Sequence, residues 1–290
     1  MSTPHPFSLR IFVADGDPDG LRLVERSNWV GKALVFPRKL YPEVRNRAEF
    51  QQTGVYLLLG TRIDSDVEML YIGEGDPVRP RLEDHFAKRD FWARAVFFVA
   101  GMGQLNKAHV QFLEARLVAL AKAAKQVTLD NGNTPAEPSL SEADRADMEV
   151  FLQNMLGILP VLGVHAFEQD TGAQARTGGP TLTCQGKGIT ATGEETSRGF
   201  KVFADSFAAK AEVASLKDHF PRVCEHRIEL QKNGVLVPDG DRLRFTQDFT
   251  FTSPSLAAAV VLGRTANGRI EWKASNGQTL KQLQEAQAAE

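Results

Sequence analysis

Two side chains that suit a phosphate group stand one helical turn apart in the first half of the chain. Arg81 and His85 occupy positions i and i+4 of a stretch that is predicted to be helical, Pro80–Arg89, so they share one helix face. A guanidinium beside an imidazole suits a phosphate better than a protein core. The spacing therefore favours chemistry on a phosphate ester.

Glu114 is the acidic residue that best suits a metal ion. It belongs to the apolar stripe of the predicted amphipathic helix Leu105–Ala124, beside Leu113 and Leu117. A carboxylate among apolar residues is costly unless a cation or another partner satisfies it. Because Mg²⁺ is often bound by one carboxylate together with waters and phosphate, we expect Glu114 to bind Mg²⁺ or Mn²⁺.

Three predicted strands must position these helices. Val55–Leu59 is an apolar run typical of a buried strand, and Val67–Ile72 predicts a strand that returns from it in an antiparallel hairpin. Asp64-Ser65-Asp66 predicts the turn between them, and Ala95–Ala100 predicts the third strand. The expected fold class is α+β, with a small three-stranded antiparallel sheet flanked by helices.

The order of these motifs resembles the GIY-YIG nuclease family. Gly54-Val55-Tyr56 matches the first half of its signature, and Tyr71-Ile72-Gly73 matches the second half. In that family an arginine follows on the first helix, where Arg81 stands, and a histidine one turn later is frequent, as at His85. A glutamate on the next long helix binds the metal in the family, and Glu114 matches it.

The resemblance implies a Mg²⁺-dependent endonuclease, a phosphodiester hydrolase acting on DNA in restriction, repair or mobile-element defence. Tyr56 would be the general base, or would relay the proton through water, and Tyr71 would orient the water or the phosphate. An asparagine after the long helix is usual in the family, and Asn131 is the candidate, with Asn133 as its rival. Some members have a lysine directly after the second motif, where this chain has Glu74.

Each of these residues also has an ordinary structural interpretation when it is taken alone. Tyr56 and Tyr71 could be core or rim aromatic residues, and His85 could lie on a helix surface. Glu114 could be a solvated carboxylate and Asn131 a helix stop. Only their occurrence together, in this order, favours a nuclease site.

Basic residues close to the motifs suggest local contacts with nucleic acid. The formal net charge is −2, from 34 Lys and Arg against 36 Asp and Glu, so an argument from the charge of the whole chain fails. The candidates near the motifs are Arg79, Lys88, Arg89 and Lys107. They predict a patch that binds phosphates or, equally, a solvated surface of mixed charge.

The chain is expected to contain a strand-helix extension at residues 1–52, a nuclease-like domain at 53–168, a linker at 169–198 and a separate small α+β module at 199–290. The linker has two interpretations, a weakly ordered connection or a pair of short strands. The C-terminal module resembles a domain of unknown function that often follows GIY-YIG modules. The segments that carry this resemblance are Asp205–Ala208, Phe251–Ala259 and Asn267–Lys273.

The C-terminal module is predicted to bind substrate rather than to carry out chemistry. Ser253 is predicted to be the N-cap of a helix with Pro254 at its first position. Ser253 and Ser255, at this helix start, could form an anion site. Trp272 could offer a face on which a base stacks, although a core position is the ordinary interpretation of a tryptophan.

Composition supports a cytoplasmic protein with no membrane partner. Hydrophobic residues make up 42% of the chain, and no apolar run is long enough to span a bilayer. Cys184 and Cys224 form no Cys-x-x-Cys pair, which fits a reducing compartment. The N-terminal residues do not resemble a signal peptide.

Two alternatives to a nuclease remain at this stage. The first is a catalytically inactive protein that keeps the GIY-YIG scaffold and binds nucleic acid or another partner. The second is a structural adaptor, which predicts no salt-dependent affinity for DNA.

Overall fold

The computed structural model describes residues 6–62, 68–101, 103–168, 179–186 and 188–288. The described residues fall into two compact units, one ending at Glu168 and the other formed by the residues that follow. The turn predicted at Asp64–Asp66 and the first part of the predicted linker lie outside the described residues.

The first unit is built on one seven-stranded sheet in the order β1-β2-β3-β6-β4-β5-β7. Neighbouring strands are antiparallel, apart from the parallel pair β5 and β7. The strands are β1 Leu9–Val13, β2 Arg22–Arg26, β3 Gly31–Pro37, β4 Gly54–Thr61, β5 Glu68–Gly75, β6 Trp92–Ala100 and β7 Thr128–Leu129. The helices are α1 Tyr41–Val44, α2 Val78–Lys88, α3 Lys107–Ala124 and α4 Glu142–Ile158.

The predicted strands around the motifs form the neighbours β6-β4-β5, but they do not form a sheet of their own. The prediction of a strand-helix extension at residues 1–52 is wrong, because these residues supply β1, β2 and β3 to the same sheet. Strand β3 pairs along its length with β6, and residues 33–36 are fully buried. A strand that is buried on both faces does not alternate between apolar and polar residues, so its sequence gives only a weak strand signal.

Helices cover both faces of this sheet. Strand residues alternate between faces, so Val55 and Leu57 pack in the core that contains the apolar residues of α3 and α4. Tyr56 and Leu58 pack in the core on the other side, together with Val78 and Leu82 of α2. As a result, consecutive residues of β4 face two different helical layers.

The second unit is also α+β, as the sequence predicts. It has a four-stranded sheet, β14-β10-β9-β8, and a three-stranded sheet, β11-β13-β12, both antiparallel. Its strands are β8 Leu182–Gly186, β9 Ile189–Thr196, β10 Gly199–Val202, β11 Phe207–Ala209, β12 Leu236–Asp239, β13 Arg242–Phe245 and β14 Phe249–Phe251. Its helices are α5 Ala214–His219, α6 Pro221–Lys232, α7 Pro254–Leu262, α8 Gly268–Glu271 and α9 Leu280–Ala288.

The second unit begins before the position that the sequence predicts for it. Strands β8 and β9 lie within the segment expected to be a linker, and they pair with each other and with β10. For this part of the segment, the alternative of two short strands is the correct one. Cys184, in β8, and Cys224, in α6, are buried free thiols.

Trp272 is a core residue, so its predicted role in base stacking is wrong. Its side chain is fully buried, its ring lies 4.3 Å from that of Phe200, and its indole N–H donates to the Pro254 carbonyl at 3.0 Å. Both the apolar ring and the polar N–H are therefore satisfied inside the unit. None of the helices in the described part of the chain has the length and apolar character needed to cross a bilayer.

We predict that Trp272→Ala lowers the free energy of unfolding by about 3–5 kcal/mol, because it leaves a large cavity in the core. Trp272→Phe should cost less, since it retains most of the ring and loses mainly the hydrogen bond to Pro254. Urea unfolding followed by circular dichroism measures both effects. A Trp272→Phe variant with unchanged stability and reduced affinity for DNA would contradict the core assignment.

Candidate active site

The candidate residues come together beside the C-terminal part of β5, which does not pair with β7. Strand β7 pairs only with Met69 and Leu70. Two positions further along β5, the Asn131 side chain accepts from the Ile72 N–H at 3.0 Å and donates to the Ile72 carbonyl at 2.7 Å. Both ends of the Asn131 amide are therefore bound to the strand backbone.

The catalytic role of Asn131 stays a prediction. In the structure its amide continues the edge of the sheet next to Tyr71. Asn131 is not a helix stop, because α3 ends at Ala124. Asn133, its rival, is exposed to solvent.

A buried hydrogen bond joins the first motif to α2. The Tyr56 hydroxyl lies 2.8 Å from His85 Nε2, and the two residues are 0% and 6% exposed. Burial, followed by the positive charges of Arg89 and Arg81, lowers the pKa of His85 to about 4. The imidazole is therefore neutral at pH 7. In the tautomer that carries its proton on Nδ1, its Nε2 accepts a hydrogen bond from the Tyr56 hydroxyl. A surface position for His85 is excluded.

Two glycines of the motifs make room for this arrangement. A Cβ atom on Gly73 would collide with the Tyr56 hydroxyl, and one on Gly54 would collide with the Phe98 carbonyl oxygen. Glycine is the residue that permits such a close approach of other groups to the backbone. The motif glycines therefore have a direct steric role at the site.

Both tyrosines remain protonated in the protein by itself. Burial raises the pKa of Tyr56, and the negative charges of Glu114 and Glu74 raise it further while Arg81 opposes them. Burial also raises the pKa of Tyr71, against the effect of Arg89. Neither phenol is therefore a phenolate in the protein alone, and a nearby cation would lower the pKa of Tyr56.

The Tyr71 ring contacts both His85 and Arg89. Its centre lies 4.7 Å from that of the His85 ring and 4.2 Å from the Arg89 guanidinium carbon. Arg89 also forms an ion pair with Asp130. Arg89 was predicted to bind nucleic acid, but in this structure its charge is already paired and it positions Tyr71.

Arg81 and Glu114 have no partner among the described residues. Arg81 is exposed on α2, and neither its guanidinium nor the Glu114 carboxylate has a hydrogen bond or ion pair with any residue that the structure describes. Burial raises the pKa of Glu114 to about 7, with the charge of Glu74 as the next cause and with Arg81 and Lys107 acting against it. A partly buried carboxylate in this condition is stabilised by an added cation.

Glu74 and Lys107 form an ion pair next to these residues. The Lys107 ammonium lies 2.6 Å and 2.7 Å from the two carboxylate oxygens of Glu74, and Glu74 is 6% exposed. In the sequence, Glu74 stands out only as the residue found where some members of the resembled family have a lysine. No local pattern could have identified the pair, because its members are 33 residues apart.

The other predicted contacts to nucleic acid are weaker. Arg79 lies 3.8 Å from Glu83 and Lys88 lies 2.5 Å from Asp84, both at i,i+4 on α2. These pairs favour the alternative of a solvated surface of mixed charge for that part of the patch.

In the second unit, the predicted anion site is already used by backbone groups. Ser253 caps α7 by accepting from the Leu256 N–H, and the Ser255 hydroxyl accepts from the Gly268 N–H. The prediction that Ser253 is an N-cap with Pro254 in the first turn is confirmed. The anion site at this helix start stays a prediction, and both serine oxygens already accept backbone hydrogen bonds within the unit.

A divalent cation at this site would have few protein ligands. The described residues contain no group of three or more His, Cys, Asp and Glu side chains arranged to hold a metal. Glu114 and the nearby Glu74 are the carboxylates available. Mg²⁺ commonly keeps several waters and uses one or two carboxylates together with phosphate oxygens, so these donors fit Mg²⁺ better than a metal that needs a complete protein cage.

The lowered pKa of His85 predicts how stability depends on pH. Between the folded pKa of about 4 and the unfolded value near 6.5, the unfolded chain binds more protons. The contribution of His85 is therefore fully present above about pH 6.5 and is lost as the pH falls towards 4. His85→Gln removes this titration. We predict that its free energy of unfolding rises by about 1–2 kcal/mol relative to that of the native protein as the pH falls from 7 to 4.5.

Urea unfolding of both proteins at a series of pH values measures this difference. Acidic groups titrate in both proteins, so their effect largely cancels. A difference that stays constant over this range of pH would show that His85 is not held neutral.

Comparison with known proteins gives a family for the second unit only. Residues 182–284 match the family described as "Domain of unknown function (DUF4357)". The match begins at the first residue of β8, whereas the sequence analysis placed the start at Gly199. No curated protein and no solved structure matches the chain. Over residues 182–284, and so over most of its second unit, the chain is similar to this family of unknown function.

Proposed function

We propose that the chain is a Mg²⁺-dependent endonuclease that hydrolyses phosphodiester bonds, with DNA as its expected substrate. The observation that carries the proposal is the convergence of residues from separate elements at one end of β5. These residues are Tyr56 of β4, Tyr71 of β5, Arg81 and His85 of α2, and Glu114 of α3. They are the residues that the GIY-YIG resemblance names, and their charges act on one another.

Arg81 is the group that would bind the scissile phosphate. Its guanidinium is exposed and lacks a partner among the described residues, so no internal ion pair must be broken first. Its planar donors match two phosphate oxygens and stabilise the charge that develops in the transition state. Glu114 would hold Mg²⁺, which when bound supplies Lewis-acid stabilisation of the phosphate and a lower pKa for a coordinated water.

Tyr56 and His85 would move the proton. As the Tyr56 oxygen takes a proton from the attacking water, its own proton can pass over 2.8 Å to His85 Nε2. An anionic phosphate nearby favours the charged imidazolium and raises the low pKa of His85. In this scheme Tyr56 relays a proton and does not have to exist as a phenolate before substrate binds.

A catalytically inactive nucleic-acid-binding protein on the same scaffold is the second candidate. The raised pKa of both tyrosines favours it, because neither phenol is a base in the protein alone. The unpaired Arg81 and Glu114 favour the enzyme, since a binding surface has no need of a partly buried carboxylate without a partner.

The first test is cleavage of supercoiled plasmid in the presence of Mg²⁺. The native chain should nick or linearise the plasmid, and a chelator should stop the reaction. Glu114→Gln should abolish cleavage while leaving DNA affinity nearly unchanged, because it removes the ligand charge and little volume. Cleavage by the Gln variant at the native rate, or a native chain that binds DNA and does not cut it, would contradict the proposal.

The second test concerns the phosphate contact. Arg81→Ala should lower the cleavage rate by about 10²–10³-fold, as expected for removal of one group that stabilises the transition state. Arg81→Lys should restore little, because a point charge does not reproduce a two-pronged donor. Arg45→Ala is the matched control, since Arg45 lies beside α2 but is paired with Glu83 at 2.9 Å.

Restoration of most of the rate by Arg81→Lys would reduce Arg81 to a general positive charge. An equal loss in Arg45→Ala would show that the effect comes from the overall charge of this surface and not from the site.

A further inference from the structure

The buried carboxylate of Glu74 has no part in the scheme above, although it belongs to the same site. It lies in the C-terminal part of β5, in the register position opposite Val55. Its residue is 6% exposed, and its charge acts on both Tyr56 and Glu114. Burying a carboxylate is costly unless a cation accompanies it, so the identity of that cation matters.

The cation that accompanies Glu74 in this structure is Lys107. Its ammonium contacts both carboxylate oxygens, at 2.6 Å and 2.7 Å. Lys107 is the first residue of α3, and it precedes Glu114 by about two helical turns, so both lie on the same side of that helix. Its charge acts on Glu114 as well. One ammonium therefore pairs with the carboxylate from β5 and also acts on the carboxylate from α3.

In the Lys107–Glu74 pair, another cation could replace the lysine, but the carboxylate is fixed in place. The carboxylate side chain is 7% exposed and fixed on a strand, whereas the lysine side chain is 50% exposed. An ion pair with an exposed member contributes little to stability. A divalent cation brings twice the charge of the ammonium to the same two carboxylates.

We propose that Glu74 is a second carboxylate ligand of the metal site, and that Lys107 is an internal counter-ion which the metal displaces. The inference rests on the proposed function, because it takes Glu114 as the first ligand. It explains why a buried acidic residue, and not an apolar one, follows the second motif. Two carboxylates with waters and phosphate are within the usual coordination of Mg²⁺.

Binding of Mn²⁺ to the full chain, without nucleic acid, tests this assignment. Mn²⁺ is the probe because electron paramagnetic resonance counts the free ion, and Mg²⁺ can then compete for the site. Glu74→Gln should weaken Mn²⁺ binding by about 10- to 100-fold. Lys107→Met should strengthen it by about two- to fivefold, because the competing cation is gone.

Glu229 and Lys232 of the second unit supply a matched control. Their ion pair at 3.1 Å also joins a half-exposed lysine, 59% exposed, to a buried glutamate, 9% exposed. Glu229→Gln and Lys232→Met should leave Mn²⁺ affinity unchanged. Thermal unfolding with and without Mn²⁺ gives a second measurement, since an ion that binds the folded chain raises its Tm.

The outcomes separate the two proposals. If Glu114→Gln abolishes Mn²⁺ binding while Glu74→Gln and Lys107→Met bind as the native chain does, Glu74 is not a ligand and the proposed function stands. If Glu114→Gln binds Mn²⁺ normally, the metal site of the proposed function fails instead. The double variant Glu74→Gln/Lys107→Met removes both charges of the pair, so it controls for misfolding caused by one unpaired charge. Its Mn²⁺ affinity should match that of Glu74→Gln. A Mn²⁺ affinity equal to that of the native chain would overturn the inference.

Discussion

The hydrogen bond between Tyr56 and His85 ties α2 to the centre of the first sheet, and the candidate site depends on it. It can form because Gly73 leaves space for the phenol across the neighbouring strand. Burial of the pair keeps the imidazole neutral, so the ring can accept a hydrogen bond from Tyr56 and does not repel Arg81. With His85 fixed, the spacing of one turn sets where Arg81 emerges on the exposed side of α2. The buried Tyr56–His85 pair thus sets the position of the exposed Arg81 side chain, which is not itself part of the core.

The site differs from the surfaces around it in whether its charged side chains have partners. Arg79, Lys88 and Arg89 each have an acidic partner, whereas Arg81 and Glu114 have none among the described residues. Unpaired charges of opposite sign that stay apart can each bind part of a ligand, the cation a phosphate and the carboxylate a metal ion. An internal ion pair between them would remove both capacities. The Glu74–Lys107 pair is intermediate, since a buried carboxylate is held by a lysine that solvent reaches.

In the second unit, the residues predicted to bind substrate make contacts within that unit. Trp272 and the serines at the start of α7 turn inward to its own core and backbone. Its similarity to a family of unknown function agrees with a separate module. An aromatic residue and a serine-capped helix start are common parts of ordinary folds, and they indicate a binding surface only where they remain exposed.

The sequence by itself determined the α+β class, the strands and helices around the motifs, the shared face of Arg81 and His85, and the cap at Ser253. These features follow from local periodicity and from spacings within one element. Only the tertiary structure decided that residues 9–37 extend the same sheet, that Asn131 bonds to Ile72 across 59 residues, and that Lys107 accompanies Glu74. It also decided that Trp272 is buried. The physical reason is that strand pairing, ion pairing and burial join residues far apart in the chain, and local sequence patterns do not specify which distant segments meet.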